Sequence, residues 1–422
     1  MNMDVFDRRE SEVRGYIRAF PAVFTSAKGA RITAEDGTEY LDFFAGAGTL
    51  NYGHNNENFK QALLDYIVED GIVHGLDMAT SAKRAFLEAF EQHILEPRGL
   101  DYRVQFTGPT GANTVEAALK LARIATGRSN VIAFTNAFHG VSLGAVSATA
   151  GANFRKGAGV DLGNVTRMPY DGYLGADFDT LDLLEKMLDD ASGGVDHPAA
   201  VIVETVQGEG GINVASSEWL QRLRTLTKER GILLIADDIQ VGVGRTGKFF
   251  SWEEAGIVPD LVTLSKSIGG YGLPMALLLI RSDLDVWKPG QHSGTFRGLN
   301  LAFVAARRAI ETYWADTELE RHIAKLSETL REGLESIVAE HPKLELEVRG
   351  RGLVFGIESK TDRAWAGRMS KEAFKNGLII ECAGADDQVL KFLPPLVIDE
   401  ADLKAGIDLL ARAARSLAEV KS

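Results

Sequence analysis

The chain has one cysteine, Cys382, in 422 residues. No intramolecular disulfide can form, and a cysteine-based metal cluster is excluded. Histidine is sparse as well: the eight residues are scattered, without an HExxH or similar spacing, which argues against structural zinc. Positive charge is in deficit, since 46 Lys and Arg face 59 Asp and Glu for a net charge of −13. The basic residues are interspersed with acidic ones, so nucleic acid is not an expected partner. No apolar run approaches a membrane-spanning length, and Met1 to Arg18 mixes Asp, Arg and Glu without the apolar centre of a signal peptide. No membrane association is expected, and a cytoplasmic location is the default. What remains is 45% hydrophobic and 25% charged, the balance of an ordinary globular protein long enough for two domains.

Short aliphatic runs alternate with longer amphipathic stretches. Val131 to Phe134, Ala200 to Glu204, Ile232 to Ala236, Leu261 to Leu264 and Met275 to Ile280 are predicted as buried strands. Ser216 to Glu229, with Trp219, Leu220, Leu223 and Leu226 at helical spacing, is a covering helix. The pattern predicts an α/β fold with a mostly parallel, doubly wound sheet in a large domain over residues 56–305. The last third changes character: helical patterns over Asn300 to Trp314 and Glu318 to Glu340 precede short strands at Leu344 to Val348 and Leu353 to Glu358. A smaller α+β domain is expected over 306–422. Residues 1–55, with a hairpin pattern of Ala30 to Thr33 and Glu39 to Phe43, are expected to pack against it.

Lys266 follows the apolar run Asp260 to Leu264 and precedes Ile268-Gly-Gly-Tyr-Gly-Leu-Pro274. A lysine at the carboxyl edge of an α/β sheet, among glycines that admit a ligand, can form an imine with an aldehyde cofactor. Ile232 to Ala236 ends in the pair Asp237-Asp238. A pyridoxal phosphate (PLP) ring needs one carboxylate against its pyridine nitrogen, and Asp237 is placed to supply it. Gln240, three residues on, is a candidate donor to the ring's phenolic oxygen. Gly111 and Ala112 open a helical pattern and offer backbone amides suited to phosphate. Phe138, next to His139 and just beyond a predicted strand, is a candidate for stacking on the ring. Arg349, in Val348-Arg-Gly-Arg-Gly352, suits a bidentate carboxylate contact, and Glu209 in Gln207-Gly-Glu-Gly-Gly211 is expected to pair with it when no diacid is bound. Taken singly, each feature also suits an ordinary solvated charge, helix cap or core aromatic. Their joint occurrence favours chemistry.

Together these segments resemble the class III aminotransferases, a PLP-dependent group of fold type I. The resemblance covers nearly the whole chain: Asp42-Phe43, Gly53-His54, Gly111 to Lys120, Phe138 to Gly140, Glu204, Gln207 to Gly211, Asp237 to Gly247, Ser265-Lys266, Gly294-Thr295 and Arg349-Gly350. It implies PLP bound covalently to Lys266, which also serves as acid and base. It further implies Asp237 as pyridinium partner, Phe138 as stacking ring, and phosphate held by Gly111, Ala112 and a Thr295 donated by the neighbouring subunit of a homodimer with shared active sites. Arg349 would take the α-carboxylate of glutamate or 2-oxoglutarate, with Glu209 as its gate. Asp42 to His54, Asp237 to Gly242, Gly269 to Met275 and Gly294 to Gly298 are similar to a subgroup acting on a short diamino acid. That similarity implies exchange of an amino group between glutamate and L-aspartate 4-semialdehyde, yielding L-2,4-diaminobutyrate and 2-oxoglutarate, in ectoine synthesis. Three positions depart from the wider family: Val141 stands for a substrate-anchoring arginine, Ala47 for a tyrosine, and Asp238 for a glutamate. Arg297, Asn51 and Tyr52 are then the candidates for holding the α-carboxylate of the diamino acid. Rival expectations are another ω-aminotransferase, acting on ornithine, 4-aminobutyrate or a siderophore precursor, and an aminomutase that shifts an amine within one molecule.

Overall fold

The aliphatic runs of the first two thirds assemble into one sheet in the computed structural model, which describes residues 3–419. Its seven strands lie in the spatial order Tyr102–Phe106, Leu277–Arg281, Leu261–Leu264, Leu233–Asp237, Ala200–Val203, Val131–Phe134 and Val165–Met168. All run parallel except Leu277–Arg281, which is antiparallel to both neighbours. The inner strands read as unbroken apolar runs because both faces are covered. Ile132, Val201, Leu234 and Val262 pack on the side of the helices Ser81–Phe90, Ser217–Glu229 and Asn300–Tyr313. Their sequence neighbours Val131, Ala200, Leu233 and Leu261 face the helix Gly111–Thr126.

Two strands were not expected from sequence, and both lie at the sheet edges. Tyr102–Phe106 and Val165–Met168 carry Arg103, Gln105, Thr166 and Arg167 on partly exposed faces, so neither offers a continuous apolar run. Other boundaries moved by one or two residues; the last expected strand runs Leu277–Arg281 rather than from Met275.

The C-terminal third forms an antiparallel sheet ordered Leu346–Arg351, Val354–Ser359, Val389–Phe392, Glu381–Ala383. Near the N-terminus Phe24–Lys28, Arg31–Ala34 and Glu39–Asp42 form an antiparallel meander. Leu378–Ile379 adds to it, parallel to Glu39–Asp42. This strand exchange ties the N-terminal segment to the C-terminal sheet. Among the described residues, no helix is long and apolar enough to cross a membrane.

Candidate active site

In an open α/β sheet, ligands bind beyond the carboxyl ends of the parallel strands, where loops diverge and helix N-termini converge. Here that edge carries a cavity of about 170 Å³ lined by Gly111, Ala112, Phe138, His139, Gly140, Glu204, Glu209, Asp237, Ile239, Gln240, Val241 and Lys266. Eight of the thirteen residues singled out from sequence therefore converge on one space; Thr295, Arg349, Arg297, Asn51 and Tyr52 do not line it.

Asp237 is the last residue of its strand and lies opposite Thr263 on the next one, three residues before Lys266. Its Oδ1 accepts from the Thr263 hydroxyl at 3.1 Å and the Ile239 amide at 3.2 Å, and its Oδ2 faces Nδ1 of His139 at 2.7 Å. The buried carboxylate is thus fixed from three sides. Burial opposes a charge on His139, yet Asp237 and then Glu204 outweigh it, and the imidazole pKa is raised. Glu204 follows the adjacent strand and accepts from the Phe138 amide at 3.0 Å. Burial, with Asp237 adding to it against the opposing His139, pushes Glu204 up to about 8. The shift favours the neutral acid.

Lys266 has φ +53°, a left-handed conformation that costs an L-residue about 1 kcal/mol or more. The hydroxyls of its neighbours hold the turn: Ser265 donates to the Met275 carbonyl at 3.0 Å and Ser267 to the Gly48 carbonyl at 2.6 Å. Burial lowers the Lys266 pKa, with Glu209 offsetting part of the effect. A desolvated lysine of lowered pKa is the form in which its nitrogen acts as nucleophile or base.

Gly111 and Ala112 are the first two residues of a 16-residue helix. The first N–H groups of a helix have no acceptor within it, and they point at the cavity with the positive end of the helix dipole. A Cβ at Gly111 would approach Ile239 to 3.0 Å, which accounts for the glycine. Phe138 sits at the rim, edge-on to Phe154 at a centroid distance of 5.2 Å.

The expected pairing of Glu209 with Arg349 is not formed. Arg349 Nε donates to the Gly211 carbonyl at 2.8 Å, and its guanidinium meets Glu358 at 2.7 Å and Glu347 at 3.4 Å. Glu209 instead binds Lys391 Nζ at 2.8 Å and the Gln240 side-chain amide at 2.9 Å. The reason lies in strand register: Lys391 sits opposite Glu381 on the neighbouring strand, both side chains are buried, and the two meet at 2.9 Å. Burial opposes the charge on Glu209, but Lys391 more than compensates and holds it at about 2. Lys391 and Glu381 were missed from sequence. The available signal was a lysine inside the otherwise apolar strand Val-Leu-Lys-Phe392.

Gln240 donates to the Ala47 carbonyl at 3.0 Å as well as to Glu209. Asn51 and Tyr52 are turned into the core: Asn51 bonds the Val243 carbonyl and Arg245, and the Tyr52 hydroxyl accepts from Trp314. Arg297 pairs with Asp77 outside the cavity, and Val141 is exposed. Thr295 is exposed in a short turn, Thr295–Gly298.

The cavity fits PLP. Two buried polar atoms on it, His139 Nε2 and Gln240 Oε1, have no hydrogen-bond partner among the described residues. A carboxylate, an amine and a helix N-terminus stand around the same space, matching a pyridine nitrogen, an aldehyde and a phosphate.

The family model for class-III aminotransferases matches residues 14–414. The chain belongs to this family. Membership implies PLP as cofactor, and the fold is that of the fold-type I enzymes. Among relatives, the diaminobutyrate–2-oxoglutarate transaminase of Bordetella parapertussis is 57% identical over 99% of this chain and 97% of its own length. The enzyme of that name from Halalkalibacterium halodurans is 54% identical over 100% and 98%. The ornithine aminotransferase of Toxoplasma gondii superposes with a TM-score of 0.85 at 27% identity, covering 98% of this chain and 94% of that one. A second structure of that enzyme, with a TM-score of 0.83 at 26% identity over the same shares, shows partial occupancy of PLP at its active site.

Proposed function

We propose that this aminotransferase carries PLP covalently on Lys266 and exchanges an amino group between L-2,4-diaminobutyrate and 2-oxoglutarate, forming L-aspartate 4-semialdehyde and L-glutamate, or the reverse. The observation that carries the chemistry is the convergence of Lys266, Asp237 and the Gly111 helix start on one cavity. The substrate pair is supported by full-length relatives of 54–57% identity that bear that name.

When bound, PLP supplies a conjugated ring that accepts the electrons left as a substrate C–H bond breaks. The chain supplies the rest. Asp237, held by Thr263, His139 and the Ile239 amide, presents a fixed negative charge to the ring nitrogen. The first amides of the helix Gly111–Thr126 receive the phosphate. Lys266 Nζ would take the proton from the carbon that bears the transferred amine and pass it to the cofactor within the same half-reaction, and would move a proton the opposite way in the other half. Lys391 is the cation within reach of Glu209 and, in place of Arg349, is the group we assign to a substrate carboxylate when Glu209 releases it.

The active unit is proposed to be a homodimer with shared sites. Ile67, Val68, Ile72, Val73, Met78 and Phe296 are exposed apolar residues in two neighbouring segments, and such a patch marks an interface. Thr295, next to Phe296, would serve the partner's phosphate subsite. A role in ectoine synthesis in the cytoplasm rests on resemblance; supply of diaminobutyrate to siderophores would use the same reaction.

The test is glutamate formation by purified protein with PLP and 2-oxoglutarate, offering L-2,4-diaminobutyrate, ornithine and 4-aminobutyrate in parallel. Strong preference for diaminobutyrate is expected. Preference for another donor would keep the family and discard the substrate, and no glutamate from any donor would point to the aminomutase.

A further inference from the structure

Behind Glu209 lies a cluster of charge that cofactor binding does not use. Lys391 and Glu381 are direct partners across two antiparallel strands, and Lys391 is simultaneously bound to Glu209 from the glycine-rich loop. The cluster holds two carboxylates and one ammonium. Lys391 is completely buried and Glu381 is 5% exposed, so water screens neither. A buried site with one negative charge in excess is costly unless a cation arrives or a carboxylate takes up a proton. The adjacent Lys266 does not provide that cation reliably, because its own charged form is disfavoured by burial.

One side of the cluster opens toward the N-terminal segment. Tyr16, which is half-exposed, lies close enough to Glu381 to feel its charge and rests against Phe44 at a centroid distance of 4.8 Å. Glu381 meets Lys391 at 2.9 Å, and the two stand behind Glu209, which lines the cavity while they do not.

We propose that Glu381 selects the substrate: it receives the α-ammonium of a 2,4-diamino acid whose terminal amine reacts at Lys266, while Lys391 faces that acid's carboxylate. The inference deepens the proposed function and rests on it. It accounts for how a site without an arginine at Val141 recognises the far end of the substrate. An α-amino acid head carries one ammonium and one carboxylate, and Glu381 beside Lys391 presents the complementary pair. Glutamate and 2-oxoglutarate bring carboxylates there instead, and for them Glu381 is discharged by a proton. Burial raises its pKa to about 7, against the opposing effect of Lys391, so both protonation states lie within reach. The charged and titratable groups that face Glu381 are Lys391, Glu209, Lys266, Tyr16 and the neighbouring Cys382.

The discriminating probe is 4-aminobutyrate, which has the carbon chain, carboxylate and terminal amine of 2,4-diaminobutyrate and lacks only the α-ammonium. The ratio of kcat/KM for the two donors is measured in the PLP-loaded wild type, in Glu381→Gln and in Glu381→Asp, each checked for an unchanged melting profile. The ratio is expected to fall about tenfold or more in Glu381→Gln and to recover in part in Glu381→Asp. Parallel losses on both donors, leaving the ratio within about threefold, would reduce Glu381 to a support for Lys391 and overturn the proposal. If Glu381→Gln does not fold, the wild type alone decides: the ratio should rise from pH 6 to pH 8 as Glu381 ionises, and a flat or falling ratio would overturn the proposal. A wild type that ignores diaminobutyrate altogether would instead refute the functional assignment on which the inference rests.

Discussion

Replacing Lys391 by methionine keeps most of the side-chain volume and removes the charge that the buried Glu381 and the partly buried Glu209 share. Glu209 is held at about 2 against an ordinary value of 4.5. At about 1.4 kcal/mol for each pH unit, that difference is on the order of 3.5 kcal/mol, with Lys391 the largest stabilising influence and Lys266 and Gln240 adding to it. An independent expectation agrees: removing one partner of a buried ion pair typically costs about 3–5 kcal/mol, because the other is left uncompensated. Glu209 is a carboxylate of depressed pKa, so its contribution is fully present above about pH 4.5 and is lost as the pH falls through about 2. The deficit of Lys391→Met relative to wild type should accordingly be full at pH 7 and shrink as the pH drops below 4.5. Thermal melts of the apoprotein across that range measure it. The triple variant Lys391→Met, Glu209→Gln, Glu381→Gln removes the orphaned charges along with their partner and should recover at least half of the loss at pH 7. A single variant that melts within 1 °C of wild type at pH 7, by order-of-magnitude scaling of stability into melting temperature, would refute the buried-charge reasoning. So would a triple variant no more stable than the single one.

Three further outcomes are expected. Lys266→Ala should lose turnover by about 10²-fold or more, since positioned proton transfer alone typically contributes about 10²–10⁴-fold, and stopped-flow measurement of either half-reaction reads it. Glu204→Gln should flatten the pH dependence of stability: the native acid keeps its proton up to about 8 whereas the unfolded chain releases it near 4.5, so wild-type stability falls as pH rises across that window. Melts at pH 5, 6.5 and 8 compare the two, and an equal slope would contradict the protonated assignment. Gly208→Ala should impair activity, because an added Cβ would stand 1.9 Å from Gln240 Oε1 and force that side chain out of its bonds to Ala47 and Glu209; wild-type kcat/KM would show that Gln240 is dispensable.

The central strands were legible because burial on both faces forces continuous aliphatic runs, and the candidate residues that line the cavity were legible because they stand where those runs end. Asp237 closes its strand, and Lys266 and Phe138 follow theirs within a few residues. The edge strands Tyr102–Phe106 and Val165–Met168 lacked that signal, since one face is left to water and carries charge. Partnerships across distant segments were the hardest to read. Arg349 and Lys391 are both cations near the same loop, and only the register that sets Lys391 against Glu381 decides which of them Glu209 pairs with. Asn51 and Tyr52 failed for the same reason: their polar atoms are taken by Arg245, Val243 and Trp314, residues some 190 to 260 positions away.

The most direct test treats the purified protein with PLP and then borohydride, which reduces an imine to a stable amine, followed by digestion and mass spectrometry of the peptides. A pyridoxyl phosphate group on the peptide containing Lys266, absent from Lys266→Ala, is the predicted result. A modification on Lys391 or any other lysine, with Lys266 unmodified, would contradict the placement of the reaction centre.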